Sequence, residues 1–320
     1  LRLTPGNPEV LWNRALTLLA DGQFEQGWED YERRWDRPDF PSPRLETELP
    51  PWEGQPGRLL LHTEQGLGDS MQFVRFLPAA REKCAGDVLL IAEPSLVRLF
   101  EGSGLVERVL EKGEELNHGD FDWHLPLMSL PRVIGSSPES FASMGSYLKA
   151  ADGDFQYWAN QLGEPCQPRI GLTWEGNPRN IKGLKRSIPM GEFLDCIASA
   201  GVEADYFCLQ PDSAGQEIHL EEGTRIRTFE KPPSDLAQTA GLLANLDLVI
   251  TVDTAVAHLA AAMGLETWLL LCAMPDWRWI NGGRETLWYP HIRVYRQQDH
   301  GRWGPPLRQL AVDMAARFRS

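Results

Sequence analysis

The chain has 320 residues, 42% of them hydrophobic and 24% charged, an ordinary composition for a folded protein of two or three domains. Its formal net charge of −14 argues against nucleic acid or an anionic membrane surface as the main partner, so any phosphate ligand requires a local basic island. Five scattered cysteines (Cys84, Cys166, Cys196, Cys208, Cys272), with no C-x-x-C and no histidine at metal spacing, argue for free thiols in a reducing, cytoplasmic compartment and against a disulfide frame or zinc site.

Residues 1–37 stand apart from the rest. Asn7-Pro8 starts a helix with Leu11, Ala15, Leu18 and Leu19 on its apolar face, stopped by Asp21-Gly22, and a second helix carries Phe24, Gly27, Trp28, Tyr31 and Trp35. This hairpin resembles one tetratricopeptide repeat. A single repeat cannot bury its own face, so it is expected to pack on the next domain or to cap an array upstream. The chain starts at Leu1 with no methionine, in keeping with a piece of something longer.

Residues 38–57 read as a Pro-rich connector. Leu59–Thr63 is a predicted strand, Gly66-Leu-Gly68 a tight turn, and a helix is expected from Asp69 through Leu77; a second strand spans Asp87–Ala92. Alternation continues through Trp123–Pro126, giving a βα domain over 58–150, with 151–168 as a polar linker containing some helix. A second series covers 169–304: strands at 169–174, 204–209 and 225–229, a helix at 234–244, strands at 248–252, 266–271 and 292–296. A terminal helix follows in 305–320. The most apolar stretch, 247–272, contains Asp253, His258 and Glu266, so it is a core strand–helix–strand and no membrane span is expected. The predicted fold class is α/β: two Rossmann-like domains facing a cleft, preceded by the helical hairpin.

The strand at 248–252 runs directly into a helix that Gly264 ends. Asp253 and Thr254 sit at the junction, where a helix leaves its first N–H groups unpaired. Such a junction suits a phosphate or diphosphate. His258 lies one turn further in, and could equally be a satisfied core histidine. The segment Arg179–Arg186 places four basic residues with no acid between Glu175 and Glu192; it is either that basic island or a solvated loop.

In Glu64-Gln-Gly-Leu-Gly-Asp69 the third glycine of a dinucleotide fingerprint is missing, which disfavours a nicotinamide-dependent oxidoreductase. Asp69 reads either as a general base for a sugar or alcohol or as a helix cap. Pro275-Asp-Trp-Arg-Trp279 with Trp288-Tyr-Pro290 offers aromatic faces for a ring ligand or a hydrophobic clasp between domains. Asp120-Phe-Asp122 reads as a strand approach and Asp152-Gly-Asp154 as a solvated turn, both weak as metal–nucleotide sites. No P-loop, nucleophile elbow or zinc signature is present.

Taken together these motifs resemble the glycosyltransferase domain found behind tetratricopeptide repeats in bacterial proteins, itself similar to family 9 glycosyltransferases such as the ADP-heptose:lipopolysaccharide heptosyltransferases. The segments carrying the resemblance are the hairpin at 7–35, Glu64–Asp69, Pro126–Pro131, Gly171–Pro178, Arg186–Pro189, Val252–His258, Pro275–Trp279 and Trp288–Pro290. The resemblance implies a GT-B fold and inverting transfer from a nucleotide-diphosphate sugar, with no metal and no cofactor. Asp69 then matches the catalytic base, with Gly66, Gly68 and Gln72 on the acceptor loop. Asn177, Lys182, Lys185, Arg186, Gln210, Asp253, Thr254, Ala255 and His258 match the donor and phosphate site. The acceptor would be a glycan, lipid or protein, and a protein partner could bind through the repeat. One departure stands out: where kin follow Leu-Gln with a basic residue, Leu209-Gln210 is followed by Pro211-Asp212. It motivates an alternative, a catalytically degenerate GT-B binding module attached to the repeats.

Overall fold

A computed structural model describes residues 6–135, 145–177, 185–213, 215–216, 218–219, 225–279 and 286–318. The chain divides into two compact units, residues 1–148 with 276–281, and residues 149–275 with 282–320. The return of 276–281 to the first unit has no sign in the sequence pattern, which placed those residues in the C-terminal domain.

The first unit opens with α1 (Pro8–Ala20) and α2 (Phe24–Tyr31). The Asn7 side chain accepts from the N–H groups of Glu9 and Val10 at 2.9 and 3.3 Å, and Pro8 fills the position whose N–H is unused. The helices cross closely because residue 27 is glycine: a Cβ there would lie 2.7 Å from the Leu19 side chain. The chain then enters a four-stranded sheet of β1 (Leu59–His62), β2 (Val88–Ala92), β3 (Arg108–Glu111) and β4 (Trp123–Pro126). Its order is β3-β2-β1-β4, all parallel. Strands β1 and β2 are buried along their whole length, as continuous apolar runs in parallel sheets require. Between the strands lie α3 (Leu67–Phe73), α4 (Leu77–Cys84) and α5 (Pro94–Ser103), with α6 (Leu130–Ile134) after β4. On one sheet face Leu60, Leu89, Ile91, Leu110 and Phe121 form a cluster that Leu45 and Leu49 of the 38–57 connector help to cover.

The hairpin does not stand as a separate repeat. Arg34, in the 3-10 turn after α2, is fully buried and donates from Nε and Nη2 to the Glu64 carboxylate at 3.0 and 2.6 Å. The same guanidinium reaches Ser129 Oγ at 2.7 Å and Glu32 at 2.8 Å. Burial pushes the Glu64 carboxyl above the ordinary carboxylate range, although the Arg34 charge pulls the other way. Trp28 and Tyr31 are buried beside this pair, and Trp28 packs edge-on against Phe73 of α3 at 5.8 Å.

The second unit includes α7 (Asp152–Leu162), in the segment expected to be a polar linker with some helix. Asp154, read as part of a solvated turn, is instead buried in this helix. The helix lies tightly on α9 (Leu236–Leu243): a Cβ on Gly241 would meet the Asp154 backbone at 2.7 Å, and Asn245 Nδ2 donates to the Phe155 carbonyl at 3.1 Å. A seven-stranded sheet follows, with β5 (Arg169–Thr173), β6 (Asp205–Cys208), β7 (Ile218–His219), β8 (Arg225–Arg227), β9 (Leu248–Val252), β10 (Thr267–Leu271) and β11 (Ile292–Arg296). The order is β11-β10-β9-β5-β6-β8-β7, parallel except for β7 against β8. Helices α8 (Met190–Ser199), α10 (Ala255–Ala262) and α11 (Gly304–Phe318) complete the layers. Among the described residues no helix is long and apolar enough to cross a membrane.

Asp122 receives the Arg58 backbone N–H at 2.7 Å and its guanidinium at 3.1 Å, so this Asp-x-Asp pair anchors the start of β1.

Removing Arg34 alone strands a buried carboxylate. Arg34→Met should therefore lower unfolding stability by about 3–5 kcal/mol, and the Arg34→Met/Glu64→Gln double variant by less than the sum of the singles. Urea denaturation checks this, and additive losses would show that the two groups act separately.

His62, at the end of β1, is buried and stacked on His124 with ring centroids 6.2 Å apart. Burial, and then the nearby His124, push its pKa down to about 3. The fold therefore holds the neutral ring while the unfolded chain takes up a proton below about pH 6.5. The stability owed to this group is whole above that pH and falls by about 1.4 kcal/mol per unit as pH drops toward 3. Glu64, shifted upward, works in the opposite sense at acid pH. His62→Leu should flatten the pH dependence of the melting temperature between pH 6 and about 4; an unchanged slope would contradict this.

Candidate functional site

In parallel sheets ligands bind outside the carboxyl ends of the strands where the strand order reverses. In the first unit that point lies between β1 and β4, and the residues leaving β1 are Thr63 to Asp69. The tight turn is displaced from the expected Gly66-Leu-Gly68. The left-handed residue is Gln65, with φ of 62°, while Gly66 caps α3 in an extended conformation and Gly68 lies inside the helix. A non-glycine residue in this region is strained. Gln65 is held there because its N–H donates to Ser42 Oγ at 2.8 Å and its side-chain amide donates to Tyr31 Oη at 3.0 Å.

Asp69 is partly buried, and Oδ2 accepts the Gly66 N–H at 2.8 Å, the backbone half of a capping box. Its other oxygen, Oδ1, accepts from Arg278 Nη2. Arg278 is buried, donates from Nε to Gln72 Oε1, and donates from Nη1 to Asp276 Oδ1 at 2.6 Å. Its guanidinium lies 4.4 Å from the centroid of the Trp277 ring and 5.8 Å from that of Phe73. Burial works against the Arg278 charge, but Asp69 and Asp276 outweigh it and raise its pKa above the ordinary value. Trp277 also packs edge-on against Trp28 at 5.5 Å. The Asp-Trp-Arg-Trp segment, read from sequence as a ring platform or a clasp, thus supplies a cation to Asp69 within the first unit.

In the second unit the strand order reverses between β5 and β9. Leaving β9, Thr254 is the N-cap of α10 but makes no side-chain cap bond; its hydroxyl lies 3.1 Å from that of Thr251 instead. Thr254 therefore does not cap the first-turn N–H groups of α10. Asp253, the buried neighbour, would repel an anion were it not paired. Arg186 donates from Nη1 to the Asp253 carbonyl at 2.6 Å and lies 3.1 Å from its carboxylate. His258 is buried, with Nε2 3.9 Å from Asp253 Oδ1 and Nδ1 3.0 Å from Tyr289 Oη. Leaving β5, the Gly176 N–H donates to Ser187 Oγ at 3.1 Å, and Glu175 N–H donates to Gln210 Oε1 at 3.2 Å.

Of the residues expected at the donor site, Arg186, Asp253, Thr254 and His258 form one connected group, with Ala255 opening α10 beside them. Gln210 is half-buried on the loop after β6, and Asn177 and Lys185 are exposed. Lys182 lies outside the described residues. Pro211–Ser213, the departure noted in sequence, forms a 3-10 turn. On the acceptor side Gly66, Asp69 and Gln72 are connected through backbone and Arg278. Sequence reasoning missed Arg278 as the partner of Asp69 and Tyr289 as the partner of His258, although both lie in motifs already singled out. Among the described residues no group of three or more His, Cys, Asp and Glu side chains is placed to hold a metal ion.

The family model of glycosyltransferase family 9 (heptosyltransferase) matches residues 203–267, a stretch that includes Gln210, Asp253, Thr254 and His258. Protein FlbA of Caulobacter vibrioides is 27% identical over 342 residues, covering 97% of this chain and 56% of that protein. The chain thus spans little more than half of that relative. Among solved structures, ADP-heptose LPS heptosyltransferase II of E. coli superposes with a TM-score of 0.61 at 12% identity, over 82% of this chain and 100% of that one. A family 9 glycosyltransferase from Veillonella parvula gives 0.60 at 11% identity, over 84% and 98%. The E. coli heptosyltransferase WaaC with ADP-2-deoxy-2-fluoro heptose gives 0.51 at 13%, over 82% and 98%. At these identities the structures establish the fold: a mixed α/β fold with parallel sheets, matching GT-B-like heptosyltransferases. Family model and fold neighbours agree on a family 9 glycosyltransferase likeness.

Proposed function

We propose that this chain transfers a sugar from a nucleotide-diphosphate donor to a hydroxyl acceptor, with inversion and without a metal. The observation that carries the reading is the junction of β9 and α10. There a helix start that its N-cap side chain, Thr254, leaves unbonded lies beside Arg186, and Arg186 is held on Asp253. N–H groups that Thr254 does not cap, with a cation held beside them, favour a diphosphate as its negative charge grows in the transition state. Lys185, next to Arg186 in the chain, would add to that field. Asp253 serves by positioning Arg186, because a bare carboxylate beside the diphosphate would oppose it.

On this reading Asp69 is the general base. It takes the proton of the acceptor hydroxyl as the acceptor oxygen bonds to the anomeric carbon. The bond from that carbon to the phosphate oxygen breaks, and its electron pair leaves with the nucleoside diphosphate. A single displacement of this kind inverts the anomeric centre. The contacts from Gly66 and Arg278 occupy two of the roughly four acceptor positions of a carboxylate, so Asp69 can cap its helix and still accept a hydroxyl proton. The acceptor is a glycan, lipid or protein, the setting is cytoplasmic, and the helical hairpin offers a link to tetratricopeptide repeats and a protein partner. A second reading, a degenerate binding module, draws on Pro211 and Asp212 standing where kin carry a basic residue.

A thermal-shift panel of ADP, UDP, GDP, CMP and NADH tests the donor site. One nucleoside diphosphate at 100 times its Kd should add about 2.7 kcal/mol of stability, and Arg186→Ala and Thr254→Ala should abolish the shift. A shift with NADH alone would overturn the reading. Asp69→Asn should lower turnover by about 10²–10⁴-fold while leaving the nucleotide shift intact. Loss of folding or of nucleotide binding in Asp69→Asn would assign Asp69 to capping only, and nucleotide binding without turnover in the unmutated chain would favour the degenerate module.

A further inference from the structure

Asp69 lies on α3, but the group that fixes its carboxylate comes from 209 residues further along the chain. Arg278 stands in the 3-10 turn Trp277–Trp279, opened by Asp276: the Asp276 carbonyl accepts the Trp279 N–H at 3.0 Å, and Asp276 Oδ1 accepts the Arg278 N–H at 3.3 Å. Each edge of the guanidinium has an assigned partner: Nη2 to Asp69, Nε to Gln72, and Nη1 to Asp276. The Trp277 and Phe73 rings pack near the buried cation, with centroids 4.4 and 5.8 Å away. Gln72, itself fully buried, is tied to the same fork. An arginine held this way is a rigid, planar donor that a lysine cannot copy.

We infer that Arg278 is the positioning residue of the reaction: it holds the Asp69 carboxylate in the orientation from which it takes the acceptor proton. The inference rests on the reading of Asp69 as the base. Arg278 does not touch the sugar or the diphosphate. It acts through Asp69, and its loss leaves the carboxylate tethered by the Gly66 N–H but free to rotate about its side-chain bonds. An active-site group misplaced by about 1 Å costs on the order of 100-fold in rate. The donor site, on the other unit, keeps its affinity. The segment 276–279 is then a catalytic support built from a sequence that reads as an aromatic patch.

The test compares the unmutated chain with Arg278→Ala, Arg278→Lys and Asp69→Asn, reading nucleoside diphosphate release from a panel of ADP-, UDP- and GDP-linked sugars. In Arg278→Ala, kcat should fall by about 100-fold with the donor KM unchanged. Arg278→Lys should be intermediate, because one ammonium cannot serve both Asp69 and Gln72. Millimolar guanidinium should restore part of the lost kcat in Arg278→Ala and none in Asp69→Asn. An unchanged kcat in Arg278→Ala, with Asp69→Asn inactive, overturns this inference and leaves the base reading standing. So does a fall in kcat matched by a rise in KM and a lower melting temperature, without guanidinium rescue, which marks a purely structural cation. If Arg278→Ala does not fold, Arg278→Lys decides: lowered kcat at constant KM supports the inference, and wild-type kcat overturns it. If Asp69→Asn keeps full turnover, or the unmutated chain releases nothing from any donor, the base reading falls and the inference falls with it.

Discussion

The buried ion pair between Arg34 and Glu64 is the constraint on which the first unit turns. Glu64 follows β1 by two residues and lies in the short loop that leads into α3, the helix of Asp69. Arg34 comes from the turn after the helical hairpin. An arginine with no exposed surface must have its charge matched where it lies, and Glu64, Glu32 and Ser129 do this together. With the hairpin locked on the loop, Tyr31 meets Gln65 and helps hold it in its left-handed conformation, and Trp28 and Tyr31 form a wall against which Trp277 packs. The hairpin is therefore packed into the unit that carries Asp69, and a boundary drawn at residue 37 or 57 would cut through that unit.

The two units solve opposite electrostatic problems with the same device. In the first, a carboxylate must be kept in a fixed direction in a partly buried place, and Arg278 pairs with it. In the second, a carboxylate stands at a helix start that would otherwise favour anions, and Arg186 covers it. In both, the arginine comes from a segment distant in sequence, 67 residues from Asp253 and 209 from Asp69. Both junctions lie at points where the strand order of a parallel sheet reverses, which is where such sheets leave space for a ligand. The protein as a whole is acidic, so any site for an anionic group would depend on such local pairing rather than on a general field.

Much of the fold was legible because buried parallel strands write themselves as short apolar runs. Leu59–His62, Leu248–Val252 and Thr267–Leu271 are fully buried along their length, and Gly264, with φ of 74°, ends the helix that follows β9. The strand and helix that meet at Asp253 and Thr254 were legible because the junction is local. What the pattern missed was long-range or went against propensity. A turn containing two glycines is assigned to them by default, yet the left-handed residue is Gln65, stabilised by Ser42 and Tyr31 from elsewhere in the chain. Asp152-Gly-Asp154 has the composition of a solvated turn, but packing on Gly241 draws it into a helix. Nothing in the local sequence around Asp69 or Arg278 pairs them; only the return of 276–279 to the first unit does.

The most direct measurement of the central claim is phosphorus NMR of the unmutated protein with a mixture of ADP-, UDP- and GDP-linked sugars. Transfer breaks the bond from sugar to phosphate, so the resonances of one sugar diphosphate should decay while those of its free nucleoside diphosphate, with a terminal phosphate, grow at the same rate. A spectrum unchanged over many hours, from protein whose melting temperature rises with one of those nucleotides, would contradict the account and leave a nucleotide-binding module without transferase chemistry.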